Sequence, residues 1–245
     1  MSFENWNGYN LERLTVAGRE AVIVYPEEGS ANGKWALKTE YFGAFPDTEI
    51  KLLEKGYHIA HITNISRWYV DEDNEARYEL AKYMHEQKGL SQKCVIVGMS
   101  CGGMQGIYFA AKYPECVSCM YLDAPVVNYL STPAFLGKNA GSEYAQSMFE
   151  EFFEAKHITV SELLSYRNHP QDRIDELVSH NIPVVLVSGD ADTVVCFDEN
   201  GLLLKEAYEK AGVPIETYIK QGGDHHPHGL FDNTPIVEFL TKYDM

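Results

Sequence analysis

The sequence predicts an α/β fold, with a mostly parallel central sheet and helices on both of its faces. Three observations carry this. Short apolar strands alternate with helical segments along nearly the whole chain, the pattern that lays a parallel sheet between helices. The runs "CVIV" and "PVVLV" are continuously apolar, as strands covered on both faces must be. No internal repeat, low-complexity tract or Pro/Gly/Ser-rich linker divides the 245 residues, so they read as one domain, 1–245.

The elements follow in order. "LERLTV" and "EAVIVY", joined at Ala17-Gly18, predict an opening antiparallel pair. The segment "YPEEGSANGKWALKTEYFG" reads as a loop. A helix is expected over Asp47–Lys55, with Gly56 ending it, then a strand "YHIAHI" and a polar helix over Glu72–Gln87. "CVIVGM" is a strand, about Gly102–Lys112 a helix, and "VSCMYL" a strand. "IPVVLVSG" and "IETYIK" are the last strands, followed by helices near Asp198–Ala211 and Pro235–Tyr243. The interval between Leu122 and Pro183 far exceeds the dozen or so residues a crossover needs. With helical patterns near Ser142–Ala155, Val160–Arg167 and Gln171–Ser179, it is expected to hold a helical cap insertion at about 128–180.

Composition narrows the function. Lys and Arg number 20 against 36 Asp and Glu, a net charge of -16. That balance argues against nucleic-acid binding and against docking on anionic lipid. No apolar run is long enough to span a bilayer, and "MSFENWNGYN" lacks the features of a signal peptide. Five cysteines without a framework spacing fit free thiols in a reducing compartment, so a cytoplasmic location is expected. Cys116 and Cys119 form a C-x-x-C, but inside a strand-like segment, where they read as core thiols.

The chemistry centres on "GMSCGG", between the strand "CVIVGM" and its helix. A nucleophilic serine must stand clear of the sheet, and a sharp strand-to-helix turn does that at the expense of local strain. Gly98 and Gly102, two before and two after Ser100, relieve the crowding of strand against helix. The N–H of Cys101 opens the helix and faces charge forming near Ser100. A serine hydroxyl needs a base, and an imidazole needs a carboxylate to orient it. Downstream, "GDADTVV" offers Asp190 and Asp192 after a strand, and "KQGGDHHPHGL" offers His225, His226 and His228. Asp123, ending "MYLD", is a further candidate acid.

With "GMSCGG", "GDADTVV" and "GGDHH" in this order, the chain resembles the α/β-hydrolase superfamily over nearly its whole length. Segments such as "YFGAFP", "LLEKGYH" and "LDAPV" resemble a bacterial subgroup of esterases and prolyl-oligopeptidase-like hydrolases. The resemblance implies Ser100 as nucleophile, Asp192 as acid and His225 as base. It implies a small-molecule ester substrate, such as an acylated sugar, and no cofactor. Peptidase action on short peptides and ligand binding without turnover are the alternatives. The H-G-G-G loop of lipases is missing, so a backbone N–H near Trp35 or Ala36 is expected to complete the oxyanion hole beside Cys101. Tyr41, Trp68 and His226 are the expected substrate contacts. Three histidines within "HHPH" raise metal binding, but no fourth ligand is apparent and no metal is expected.

Overall fold

The computed structural model describes residues 3–244. Its sheet contains nine strands: β1 (Glu4–Trp6), β2 (Tyr9–Val16), β3 (Arg19–Tyr25), β4 (Trp35–Lys38), β5 (His58–Ile62), β6 (Cys94–Met99), β7 (Val117–Asp123), β8 (Val184–Gly189) and β9 (Ile215–Lys220). Their spatial order is β1-β2-β3-β5-β4-β6-β7-β8-β9. The first three strands and β5 pair antiparallel, and everything from β5 to β9 is parallel. β4 precedes β5 in the chain yet lies between β5 and β6. Chain direction across the sheet therefore reverses there, and the loops leaving β4 and β6 part to open a crevice at the strands' C-terminal ends.

Alternation of side chains sends the strands' apolar residues into two layers. Ile96, Leu37, Met120 and Leu186 face one layer, covered by α2 (Asp71–Glu86), α3 (Cys101–Lys112), α6 (Ile174–Ser179) and α7 (Gly201–Ala211). Val95, Val97, Ala36 and Val185 face the other, covered by α1 (Asp47–Glu54) and α8 (Thr234–Tyr243). No helix among the described residues is long and apolar enough to cross a membrane.

Most expected elements lie where the sequence placed them, and β4 is the main correction. "WALK" is a strand rather than loop, with all four residues buried. In the interval 128–180, α4 (Ala145–Lys156) and α5 (Val160–Ser165) contribute Phe152 and Leu163 to a third apolar cluster with Trp68, Met104 and Tyr129. α6, by contrast, packs beside α3 and α7 in the layer that covers the sheet. Cys116 and Cys119 enter the two opposite apolar layers. Burial raises both thiols, that of Cys116 to about 11, which suits packing better than redox exchange.

Candidate active site

Ser100 sits at the turn between β6 and α3 with φ 52° and ψ -119°. This is a costly conformation for a residue with a Cβ, and the surroundings hold it. The Ser100 N–H donates to the Asp123 carbonyl at 2.9 Å, and its own carbonyl accepts from Val126 at 3.1 Å and Gly103 at 3.0 Å. The space the turn needs comes from Gly98 and Gly103. A Cβ on Gly98 would stand 2.7 Å from the Gly102 carbonyl oxygen, and one on Gly103 2.6 Å from Pro125. Gly102, given this role by the sequence pattern, is less constrained: its Cβ would approach Glu40 and Thr39 side-chain atoms at 3.2 Å.

Asp192, His225 and Ser100 converge from three separate loops. His225 Nδ1 lies 2.7 Å from Asp192 Oδ2, and His225 Nε2 lies 3.1 Å from Ser100 Oγ. An ionised carboxylate only accepts, so Nδ1 carries the proton and the Nε2 lone pair faces the serine hydroxyl. Asp192 Oδ1 in turn accepts from the backbone N–H groups of Val194 and Val195, each at 2.8 Å, which fixes the carboxylate. Asp190 is placed elsewhere, accepting from the Gly222 N–H at 2.6 Å and tying the two loops together. Asp224 accepts from the His225 N–H at 2.8 Å and holds the histidine's backbone.

A second carboxylate–imidazole pair stands beside the first. His228 Nδ1 lies 2.9 Å from Asp123 Oδ1, and Asp123 Oδ2 accepts from the Gly229 N–H at 2.6 Å and the Tyr121 hydroxyl at 2.7 Å. Burial raises the Asp123 carboxyl, but His228, Lys220 and the Gly229 N–H outweigh it and leave the group below its ordinary value. Both residues were named by the sequence; their pairing, which anchors the histidine loop, was not visible there.

A cavity of about 290 Å³ adjoins these groups. Tyr41, Phe45, Met99, Val194, Tyr144 and Met148 supply apolar walls, with Arg67 and the three histidines as polar groups. Tyr41 and His226, two of the expected substrate contacts, both line this cavity, and His226 stacks on Phe45 with ring centroids 5.6 Å apart. Trp68 does not: it is wholly buried, edge-on to Phe152 at 5.6 Å, because the loop it occupies is roofed by α4. Tyr144, just before α4, and Met148 within it line the cavity, while Phe152 packs inward.

Trp35 is the other correction. It begins β4, at the opposite end of the sheet from Ser100, and its indole N–H donates to the Ser91 carbonyl at 2.9 Å. Because "WALK" is a strand, the chain reaches the level of the elbow only at Thr39–Tyr41. Thr39 Oγ1 donates to the Gly102 carbonyl at 2.6 Å, and the Thr39 N–H to the Val97 carbonyl at 3.2 Å. Cys101 is where the sequence put it, at the first position of α3. Burial is the largest influence on its thiol and pushes it up to about 11, so the side chain stays protonated. Lys38 is fully buried and paired with Glu49 at 2.6 Å. Arg67 is held by Glu151, with Nε to Oε1 at 2.8 Å.

Comparison with known proteins agrees with this architecture. A family model described as alpha/beta hydrolase fold matches residues 67–157, the stretch that carries the elbow. Dipeptidyl peptidase 4 from Porphyromonas gingivalis superposes with a TM-score of 0.68 at 17% identity, covering 98% of this chain and 36% of that one. Acylaminoacyl peptidase from Pyrococcus horikoshii gives 0.68 at 13%, over 99% of this chain and 40% of that one. The chain thus spans between a third and two fifths of the length of these peptidases. Est1E from Butyrivibrio proteoclasticus gives 0.66 at 14%, over 99% of this chain and 98% of that one. At such identities the likeness speaks to the fold. The strand order, the elbow and these matches together show that the chain has the α/β-hydrolase fold.

Proposed function

We propose that the protein is a serine hydrolase of small carboxylic esters, with Ser100 as nucleophile, His225 as general base and Asp192 as its orienting acid. The observation that carries this reading is the continuous hydrogen-bonded line Asp192–His225–Ser100, with steps of 2.7 and 3.1 Å, ending at a strained serine beside a cavity. In the proposed reaction the His225 Nε2 takes the hydroxyl proton as Oγ attacks the ester carbonyl. Asp192 holds the Nδ1–H tautomer and stabilises the imidazolium. The Cys101 N–H, with a donor from the Thr39–Tyr41 backbone, receives the oxyanion. The imidazolium then protonates the departing alcohol, and water activated by the same histidine cleaves the acyl-enzyme. No cofactor takes part.

The cavity favours esters over peptides with a free amino terminus. Arg67 is the ionised side chain of its wall, and no carboxylate lines it among the described residues, so nothing there pairs with an α-ammonium group. Its size suits a small acyl group, and an acetylated sugar fits this class. A peptidase reading stays in view because several structural neighbours, including a puromycin-hydrolyzing peptidase from Mycobacterium tuberculosis, bear that name. Rates on p-nitrophenyl esters from acetyl to decanoyl, beside matched aminoacyl-p-nitroanilides, decide between them. The ester reading expects short acyl esters to be cleaved fastest; faster cleavage of the anilides would replace it with the peptidase reading. A location in the cytoplasm is proposed on the free cysteines alone.

A further inference from the structure

The histidine loop brings together more than a catalytic base needs. His225, His226 and His228 each offer a ring nitrogen, and these nitrogens lie within 4.8 Å of one another. The ring centroids are 4.7, 5.0 and 5.0 Å apart and the planes stand at 75–78° to each other, so the three imidazoles crowd together edge to face. Two of them carry the carboxylate partner that metal-binding histidines have. His225 and His228 each give Nδ1 to a buried carboxylate, Asp192 and Asp123, which leaves Nε2 of each as the ligand atom, in His225 the same nitrogen that faces Ser100 Oγ at 3.1 Å. A carboxylate behind the imidazole is the arrangement that fixes tautomer and raises basicity in histidine metal sites. His226, in contrast, is exposed and carries no such restraint, so its ring can turn to close the set. Histidine ligands sit at about 2.0–2.1 Å from Zn2+, which places tetrahedral nitrogens about 3.3 Å apart, a contraction the loop can make with the exposed ring.

We propose that His225, His226 and His228 bind one divalent transition-metal ion, of which Zn2+ is the type, and that the bound ion switches Ser100 off. Nitrogen donors select a borderline cation of this kind over Mg2+ or Ca2+. The fourth position faces the cavity and stays open to water. His225 Nε2 cannot hold a metal and accept the Ser100 proton together: its single lone pair there serves one or the other. The ion is therefore an inhibitor of the hydrolase, reversed by a chelator, rather than its cofactor. The binding half stands on geometry alone, while the inhibitory half rests on the proposed function.

The test separates the two. Zn2+ is titrated calorimetrically into wild type, Ser100→Ala and His226→Ala, and Co2+ is added in parallel for its visible absorption. The expected result is one ion per chain in wild type and in Ser100→Ala, tetrahedral Co2+ bands, and affinity lowered at least about tenfold in His226→Ala. Zn2+ should also slow turnover of an acyl ester over the same concentrations that fill the site, with recovery on adding EDTA. Binding of equal strength in wild type and His226→Ala, or no saturable binding, would overturn the site. Binding as expected with undiminished turnover would overturn the inhibition. A protein that hydrolyses esters only when Zn2+ fills the site would retain the site and overturn both the inhibition and the metal-free serine mechanism.

Discussion

Gly98→Ala is the substitution whose effect the structure specifies most closely. Its Cβ would meet three backbone atoms of the neighbouring helix: Gly102 O at 2.7 Å, Gly103 Cα at 2.8 Å and Gly102 C at 2.9 Å. Ordinary contact begins near 3.4 Å, so the first turn of α3 must back away from β6 by about 0.7 Å. Helix backbone cannot swing aside as a side chain does. Overpacking of this kind costs about 1–3 kcal/mol, and at this chain length each kcal/mol lowers Tm by roughly 2–4 °C. The same movement carries Cys101 N–H and Ser100 Oγ away from His225. A displacement of about 1 Å in a reacting group costs on the order of 100-fold in rate, so roughly tenfold or more is expected here. Gly102→Ala is the internal control. Its nearest contacts are at 3.2 Å and belong to side chains, and alanine regains about 0.8–1 kcal/mol of helix propensity. Its Tm should stay within about 3 °C of wild type. Thermal melts and ester turnover on the pair check this. Equal losses in both variants would refute the claim that backbone crowding at Gly98 sets the elbow.

Further predictions concern strain, tautomer and charge. Ser100→Gly should abolish turnover and raise stability by about 1–3 kcal/mol, because glycine adopts φ 52°, ψ -119° without strain; a destabilised variant in chemical denaturation would contradict that. Asp192→Asn should keep the fold and lower kcat on the order of 10⁴-fold, since an amide can hold the wrong tautomer; a loss under tenfold would remove Asp192 from the proposed mechanism. Burial is the main influence on Lys156, lowering its ammonium to about 8, although Asp71 acts in the opposite sense and its Nζ donates to the Tyr69 carbonyl at 2.8 Å. Between about pH 8 and 10.4 the unfolded chain holds this proton and the folded one does not, so stability contributed at this site rises with pH across that window. Lys156→Met should accordingly be more stable than wild type at pH 7, by at most about 3 kcal/mol, and the gap should narrow by pH 10. Denaturation at both pH values checks it, and a gap independent of pH would show that the ammonium is not desolvated.

The elbow was legible because its physics is local: an apolar strand, a small–x–Ser–x–small turn and a helix occupy consecutive residues. The parallel strands were legible for the same reason. β4 was not, since four residues give too little periodicity and Lys38 looks like surface. Its burial depends on Glu49, supplied by α1, and on the sulfur of Met99, 3.3 Å away. Missing that strand displaced the expected oxyanion donor to Trp35, a whole strand length from the elbow. Trp68 failed differently: an aromatic in a loop reads the same whether the loop is open or roofed, and the roof is α4, more than 75 residues onward. Asp123 and His228, 105 residues apart, were each visible as candidates, but only the register of β7 against the last loop pairs them.

The central claim is an activated serine at position 100. Intact-mass analysis after fluorophosphonate treatment of wild type and Ser100→Ala tests it most directly. The account predicts a single phosphonyl adduct on wild type and none on the variant. A folded wild type that stays unlabelled, or a variant labelled as fast as wild type, would contradict it.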